Sequence, residues 1–312
     1  MRLRIEKLDD VCGLPKGDSA ILPGMPAAGS AKPHIAIVGA GNLATALTVS
    51  QRAAGYGIEQ IISRAGGASL RRARRLAREV EAGAVSASQV QPIEAKIVWF
   101  CVPDRAIAHA AESLSKGTAW KGKVALHSSG ALTSDELVAL RRRGAAVASV
   151  HPLMTFVRGS RPALAEVPFA IEGDSKAVRI ARSIIRDLRG WAFSIGKEQK
   201  QLYHAWGMFV SPLFTALLAS SEDVAAAAGI NRKAARAKML PILMQTLANY
   251  ARLGAPGSFS GAIARGDLET VKKHLTVLRE IAGAREIYIA LAHMALRDLP
   301  VKNRTGLEKI LK

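Results

Sequence analysis

The run Ile35-Ala36-Ile37-Val38-Gly39-Ala40-Gly41-Asn42-Leu43-Ala44 constrains this chain more than any other feature: an apolar strand leads straight into a glycine turn and then a helix. In such a pattern Gly39 permits the sharp turn at the strand end, Gly41 lets the backbone approach a pyrophosphate, and Ala44 stands where a small residue allows close helix–sheet packing. The first N–H groups of the helix then face the anion. A GxGxxA motif alone is weak, but Leu43, Ala46, Leu47 and Ala54 follow at helical spacing. Ile58 to Ile62 then reads as a second buried strand that completes a βαβ unit. The expectation is a bound dinucleotide held by Gly39, Ala40, Gly41, Asn42, Leu43 and Ala44.

The second strand ends in Ser63-Arg64, where an NAD-selective site would place an acidic side chain on the ribose 2′-hydroxyl. A hydroxyl followed by a guanidinium suits a 2′-phosphate instead, because Arg offers it a bidentate, charged contact. Ser63 and Arg64 therefore predict NADP as the cofactor.

The arginines Arg71, Arg72, Arg74, Arg75 and Arg78, in a chain of net charge +19, raise the question of nucleic acid. Leu70, Ala73, Ala77 and Val80 form an apolar stripe through the same segment, so the arginines read as the solvated face of an amphipathic helix. Zinc-ligand spacing and RNA-binding aromatic signatures are absent from the sequence, and no nucleic-acid partner is expected. Two cysteines, Cys12 and Cys101, cannot build a disulfide framework, and residues 1–10 hold no apolar run of signal-peptide length. A cytoplasmic setting is expected. The longest apolar stretch, 205–219, is short for a membrane span and carries Ser211 and Pro212, so it reads as a buried core helix.

Residues 1–32, rich in Gly, Pro and Ala from Gly13 onward, read as a flexible leader. From 33 to 196 strands and helices alternate, with further strands expected at 96–102, 124–127, 145–150, 169–171 and 191–195. That alternation predicts an α/β fold with a doubly wound parallel sheet. From 197 to 312 strand signals vanish, and apolar-periodic runs at 199–228, 232–253 and 268–297 predict an all-helical second domain.

In open α/β sheets ligands bind beyond the carboxyl ends of the strands, which here offer Val102-Pro103-Asp104, His127-Ser128-Ser129-Gly130 and His151-Pro152. Val102, Pro103 and Asp104 are expected beside the cofactor, and His127, Ser128, Ser129 and His151 beside substrate or nicotinamide. Taken singly, Asp104 is also a plausible helix cap and the serines and histidines plausible turn-formers. In the second domain Lys200, His204, Ser211 and Thr215 fall on one side of a helix at 3.6 residues per turn. Lys200 or His204 would then supply a proton as hydride arrives, and Ser211 would orient substrate. In the late loop 258–267, Asp267 is placed to cap the following helix and Arg265 to clamp a carboxylate.

Together VGAGNLA (38–44), FCVPD (100–104), HSSGAL (127–132), SVHPLMTF (149–156), YHAWGMFVSP (203–212) and GAIARGD (261–267) resemble the Rossmann-like family that carries a C-terminal domain of unknown function numbered 2520. That family is similar to pyrroline-5-carboxylate reductase, ketopantoate reductase and the β-hydroxyacid dehydrogenases. The resemblance implies NAD(P)-dependent reduction and a helical, dimerising second domain. The chain departs from the pattern at Ser211-Pro212, where Ser-Asn is expected, and at Gly261-Ala262-Ile263, where Gly-Pro-Ile is expected. Lys200 and His204 keep the four-residue spacing of the lysine and asparagine in the β-hydroxyacid dehydrogenases, with histidine in the second place.

The leading expectation is an NADP-dependent reductase acting on the carbonyl of a small, ketopantoate-like 2-keto acid. An imine reductase and a non-catalytic NADP-binding sensor or scaffold are the alternatives. A homodimer joined through 197–312 is expected, because three long apolar-faced helices exceed what one sheet domain can cover. The loop 260–267 would then lie near the partner's cleft.

Overall fold

The computed structural model describes residues 32–89 and 92–312. Apart from Lys32, the expected leader lies outside the described residues, as does Cys12. The described chain divides into two compact units, one ending at Ser211 and the other running from Pro212 to Lys312.

The first unit is built as β1 (Ile35–Val38), α1 (Asn42–Ala53), β2 (Ile58–Ser63), α2 (Gly67–Glu79), β3 (Gly83–Ser86), β4 (Ile97–Phe100), α3 (Ile107–Leu114) and β5 (Val124–His127). It continues with α4 (Val138–Arg141), β6 (Ala146–Pro152), β7 (Pro168–Gly173), α5 (Ser175–Asp187), β8 (Trp191–Ser194) and α6 (Lys200–Met208). One eight-stranded sheet runs in the order β3-β2-β1-β4-β5-β6-β7-β8. All neighbours pair in parallel except β6 and β7, which are antiparallel, so the sheet is mostly rather than wholly parallel.

Its central strands are buried on both faces, as their unbroken apolar sequences require. One core lies on the face with Leu47, Trp99, Leu126 and Phe169, the other on the face with Phe100, Trp120 and Val147. The chain winds outward through β1, β2 and β3, then crosses back to place β4 on the other side of β1. Strand order reverses there, and the carboxyl ends of β1 and β4 open a crevice.

The second unit is helical: α7 (Phe214–Ala227), α8 (Arg232–Ser258), α9 (Ala262–Arg265), α10 (Leu268–Val277), α11 (Ala284–Asp298) and α12 (Arg304–Ile310). Of the three long runs read from the sequence, 232–253 is continuous up to Gly254, and the other two are interrupted. Phe209–Leu213, around Pro212, forms a π turn between α6 and α7, because proline withholds an N–H from the α-helical ladder. Gly254 breaks α8 with φ +67°, and Leu278–Glu280 tightens into a 3₁₀ turn. Asp267 caps α10, its Oδ1 accepting from the Thr270 N–H at 3.1 Å.

Two expectations are corrected. The domain boundary falls at Pro212 rather than 197, since α6 belongs to the sheet unit. The stretch 205–219 is not a buried core helix either. Phe209 is 70% and Val210 56% exposed. The helical run Lys197–Ala227 holds an 18-residue stretch of mean hydropathy 1.3 and is, by length and composition, apolar enough to cross a membrane. The π turn rotates the residues beyond it by roughly 100° relative to a straight α-helix, so apolar side chains fall on more than one face.

Candidate functional site

The glycine turn between β1 and α1 is set by contacts that a side chain would destroy. Gly39 has φ +113°, and a Cβ there would sit 2.5 Å from the Cys101 carbonyl oxygen, while its own N–H donates to Ile62 O at 2.8 Å. Gly41 is different: a Cβ there would meet nothing within 4 Å. The protein itself does not require that glycine, whereas a pyrophosphate approaching the backbone would. Ala44 is fully buried in the core, as close helix–sheet packing demands.

A cavity of about 360 Å³ opens over this turn, lined by Gly39, Ala40, Gly41, Ser63, Arg64, Val102 and Pro103. Four expected cofactor residues do not line it. The Asn42 amide donates to Phe156 O at 3.1 Å, Leu43 is half-buried and Ala44 buried, and Asp104 accepts from Ser129 Oγ at 2.8 Å.

The loop after β5 spends its polar side chains on itself. His127 is fully buried; its Nδ1 accepts from the Ser129 N–H at 3.1 Å and its Nε2 donates to Thr133 O at 2.9 Å. These partners fix one neutral tautomer, and burial above all pulls its pKa down to about 4. Ser128 Oγ accepts from Trp99 Nε1 at 2.8 Å. Ser129 Oγ, besides donating to Asp104, accepts from the N–H groups of Ala131 and Leu132. The direct substrate contacts expected of His127, Ser128 and Ser129 are therefore replaced by a turn-building role.

Lys200 lies beneath this loop, fully buried. Its Nζ donates to Ser129 O at 3.1 Å and to Ser149 Oγ at 2.7 Å, and burial lowers its pKa to about 8. The ammonium is thus held by the loop's Ser129 carbonyl and by Ser149. Ser211 lies within the π turn Phe209–Leu213, beyond the end of α6.

What stays open is a cluster at the ends of β6 and α6. His151 Nδ1 lies 2.8 Å from Tyr203 Oη, and the rings of His151 and His204 are 6.5 Å apart, edge to face. Gly130 separates them: a Cβ there would lie 2.8 Å from His151 Nε2 and 2.9 Å from His204 Cδ2. Burial, then the charges of Lys200, His204 and His127, hold His151 near pKa 4. Burial raises the Tyr203 phenol well above its ordinary value.

Residues 34–127 match the family described as NADP oxidoreductase, coenzyme F420-dependent. Residues 167–295 match the domain of unknown function 2520. Among solved structures, a Bacteroides fragilis protein named as an NADP oxidoreductase is 21% identical, with a TM-score of 0.71, covering 84% of this chain and 97% of its own. A Thermotoga maritima protein is 25% identical, with a TM-score of 0.64 and coverages of 83% and 96%. An imine reductase from Pseudomonas is 19% identical, with a TM-score of 0.59 and coverages of 90% and 100%. The first and third likenesses are of fold. Among curated proteins the chain has no match.

The match of residues 34–127 to the NADP oxidoreductase family gives NADP as the cofactor, and the cavity has residues the sequence reading passed over. Ser69, Arg72, Arg105 and His109 also line it. Arg72, expected on a solvated helix face, lies one turn into α2 and lines the same cavity as Arg64. Neither guanidinium has an ion-pair partner among the described residues. Their shared charge fits a 2′-phosphate better than the diol of NAD. The missed signal was position: Arg72 stands eight residues past Arg64, within the first turns of the helix that the second strand feeds. Tyr203 was also missed, though it immediately precedes His204. Arg265, the expected carboxylate clamp, is exposed at the end of α9.

Proposed function

We propose that the protein reduces the carbonyl group of a small keto acid with NADPH. One observation carries the choice of carbonyl: the charges that act on His151 in the open cluster are those of Lys200, His204 and His127, all of which disfavour a further cation there, while the carboxylates of Asp104 and Glu172 act on Lys200. Such a field favours an anionic substrate and a developing alkoxide, and it disfavours the cationic iminium that an imine reductase must hold. When bound, NADPH supplies the hydride to the carbonyl carbon. The substrate oxygen takes a proton from His204, which solvent restores. None of the structures named above points to a ketopantoate-like substrate, so the side chain of the keto acid is left to assay. Cys101, a buried free thiol, accords with a cytoplasmic setting.

The test is NADPH oxidation across panels of 2-keto acids and cyclic imines. Turnover of keto acids is the expected result. Turnover of cyclic imines alone would replace this reading with the imine reductase, and tight NADPH binding without turnover on either panel would replace it with a sensor.

We also propose that two copies associate through the helical unit. Of the 27 residues of α8 only Ala235 is buried, while Ile242 is 68% and Tyr250 59% exposed. An apolar cavity of about 370 Å³ lies between α7 and α11, lined by Leu217, Val224, Ile287 and Leu291 among others. Apolar surface of this extent on a helical unit calls for a cover, and a twofold copy of the same surface provides one. Light scattering is expected to return twice the chain mass of 33.1 kDa; the chain mass itself would refute the proposal.

A further inference from the structure

We propose that Tyr203 locks His151 in the tautomer that carries its proton on Nε2, making His151 the hydrogen-bond donor that holds and polarises the substrate's oxygen. The proposal rests on the reductase reading for the identity of the substrate, but the tautomer follows from hydrogen bonding alone. Tyr203 is 7% exposed, and His151 Nδ1, at 2.8 Å, is the hydrogen-bond partner of its hydroxyl. If Nδ1 were the donor, the phenolic hydrogen would be buried with no other acceptor among the described residues. Leaving a buried polar group unpaired costs about 1–3 kcal/mol, which is enough to select the opposite arrangement. The phenol therefore donates, the Nδ1 lone pair accepts, and the ring proton resides on Nε2.

The position of Nε2 gives that proton its use. It packs close to Gly130, where a Cβ would clash with it at 2.8 Å, and it has no hydrogen-bond partner among the described residues. The ring also remains uncharged through the physiological range, since its pKa lies near 4, so Nε2–H acts as a fixed neutral donor. Neutral imidazole is a known electrophile of this kind. Tyr203 is then a positioning residue and His151 a catalytic one, distinct from His204, which delivers the proton.

Long-range ¹H–¹⁵N correlation on the full-length protein labelled at histidine, with His151 assigned by loss of its signals in His151→Gln, reads the tautomer without any turnover. An unprotonated Nδ1 and a protonated Nε2 between pH 6 and 8 are expected. A proton on Nδ1 would overturn the proposal. In Tyr203→Phe the single-tautomer pattern should give way to a mixture, with kcat/KM on the best keto acid lowered about tenfold and NADPH affinity unchanged. An unaltered pattern in that variant would remove the positioning role. A wild-type protein with the expected tautomer but no turnover on any keto acid would overturn the reductase reading and the role of His151 in it, leaving the tautomer assignment standing.

Discussion

Replacing Lys200 with methionine tests the buried charge beneath the loop. The ammonium is fully buried, and burial lowers its pKa from 10.5 to about 8. A base that holds its proton less tightly folded than unfolded lowers stability wherever both states are protonated, and that cost fades as pH rises from the folded toward the unfolded pKa. At 1.36 kcal/mol per unit the ionised side chain costs roughly 3 kcal/mol near neutrality, of which roughly 2.5 kcal/mol disappears between pH 7 and 10. The hydrogen bonds to Ser129 O and Ser149 Oγ are lost in the variant, but Ser149 Oγ still donates to Ser129 O at 3.1 Å, so neither oxygen is orphaned. The stability difference at pH 7 therefore mixes opposing effects, whereas its pH dependence isolates the charge. Urea unfolding of both proteins from pH 7 to 10 should show the wild type gaining roughly 2.5 kcal/mol on Lys200→Met, since groups common to both cancel. A constant difference across that range would refute a charged, desolvated Lys200.

Arg64→Ala and Arg72→Ala should each weaken NADPH binding about tenfold, or about 1.4 kcal/mol, and leave NADH affinity unchanged by calorimetry; equal losses for both cofactors would show that neither guanidinium meets a 2′-phosphate. Gly39→Ala forces a side chain onto a left-handed backbone against the Cys101 carbonyl, so thermal unfolding should reveal a loss of more than about 1 kcal/mol, and a wild-type melt would contradict that packing. Gly130→Ala should lower turnover while sparing NADPH binding, because its Cβ would displace His151 and His204 rather than the glycine turn; unchanged kinetics would mean that the two imidazoles do not need that gap.

The fold was legible where burial is two-sided. Strands such as Ile97–Phe100 and Val124–His127 carry unbroken apolar runs because helices cover both faces of the sheet. β3, with Gly83-Ala84-Val85-Ser86, was overlooked because it forms an edge of the sheet and is only partly buried, so it has no apolar run to announce it. The antiparallel β6–β7 pairing was equally hidden, since alternation of element types says nothing about the direction of one return strand. Among the helices, periodicity located the apolar runs, and 232–253 stops where Gly254 breaks the helix, but the interruptions of the other two runs were not seen. Pro212 was visible, yet a proline inside an apolar run is compatible with a kink, a break or a π turn, and neighbouring packing decides among them.

The site divides along a similar line. Residues that follow strands were placed at the right edge of the sheet, because topology alone delivers them there. Whether a side chain at that edge is open to a ligand depends on partners distant in sequence. His127 is closed by Thr133, Ser128 by Trp99 and Ser129 by Asp104, and no local pattern marks those pairings. Lys200 shows the same effect more sharply: its spacing from His204 suggested a proton donor, but Ser149, 51 positions away in sequence, supplies the acceptor that holds it under the loop. His151 stays open for the converse reason. Tyr203 occupies one ring nitrogen and Gly130 has no side chain to block the other, so availability here comes from one hydrogen bond made and one contact omitted. Position in the sheet selects the candidates; the pairing of each donor and acceptor decides which of them can meet a substrate.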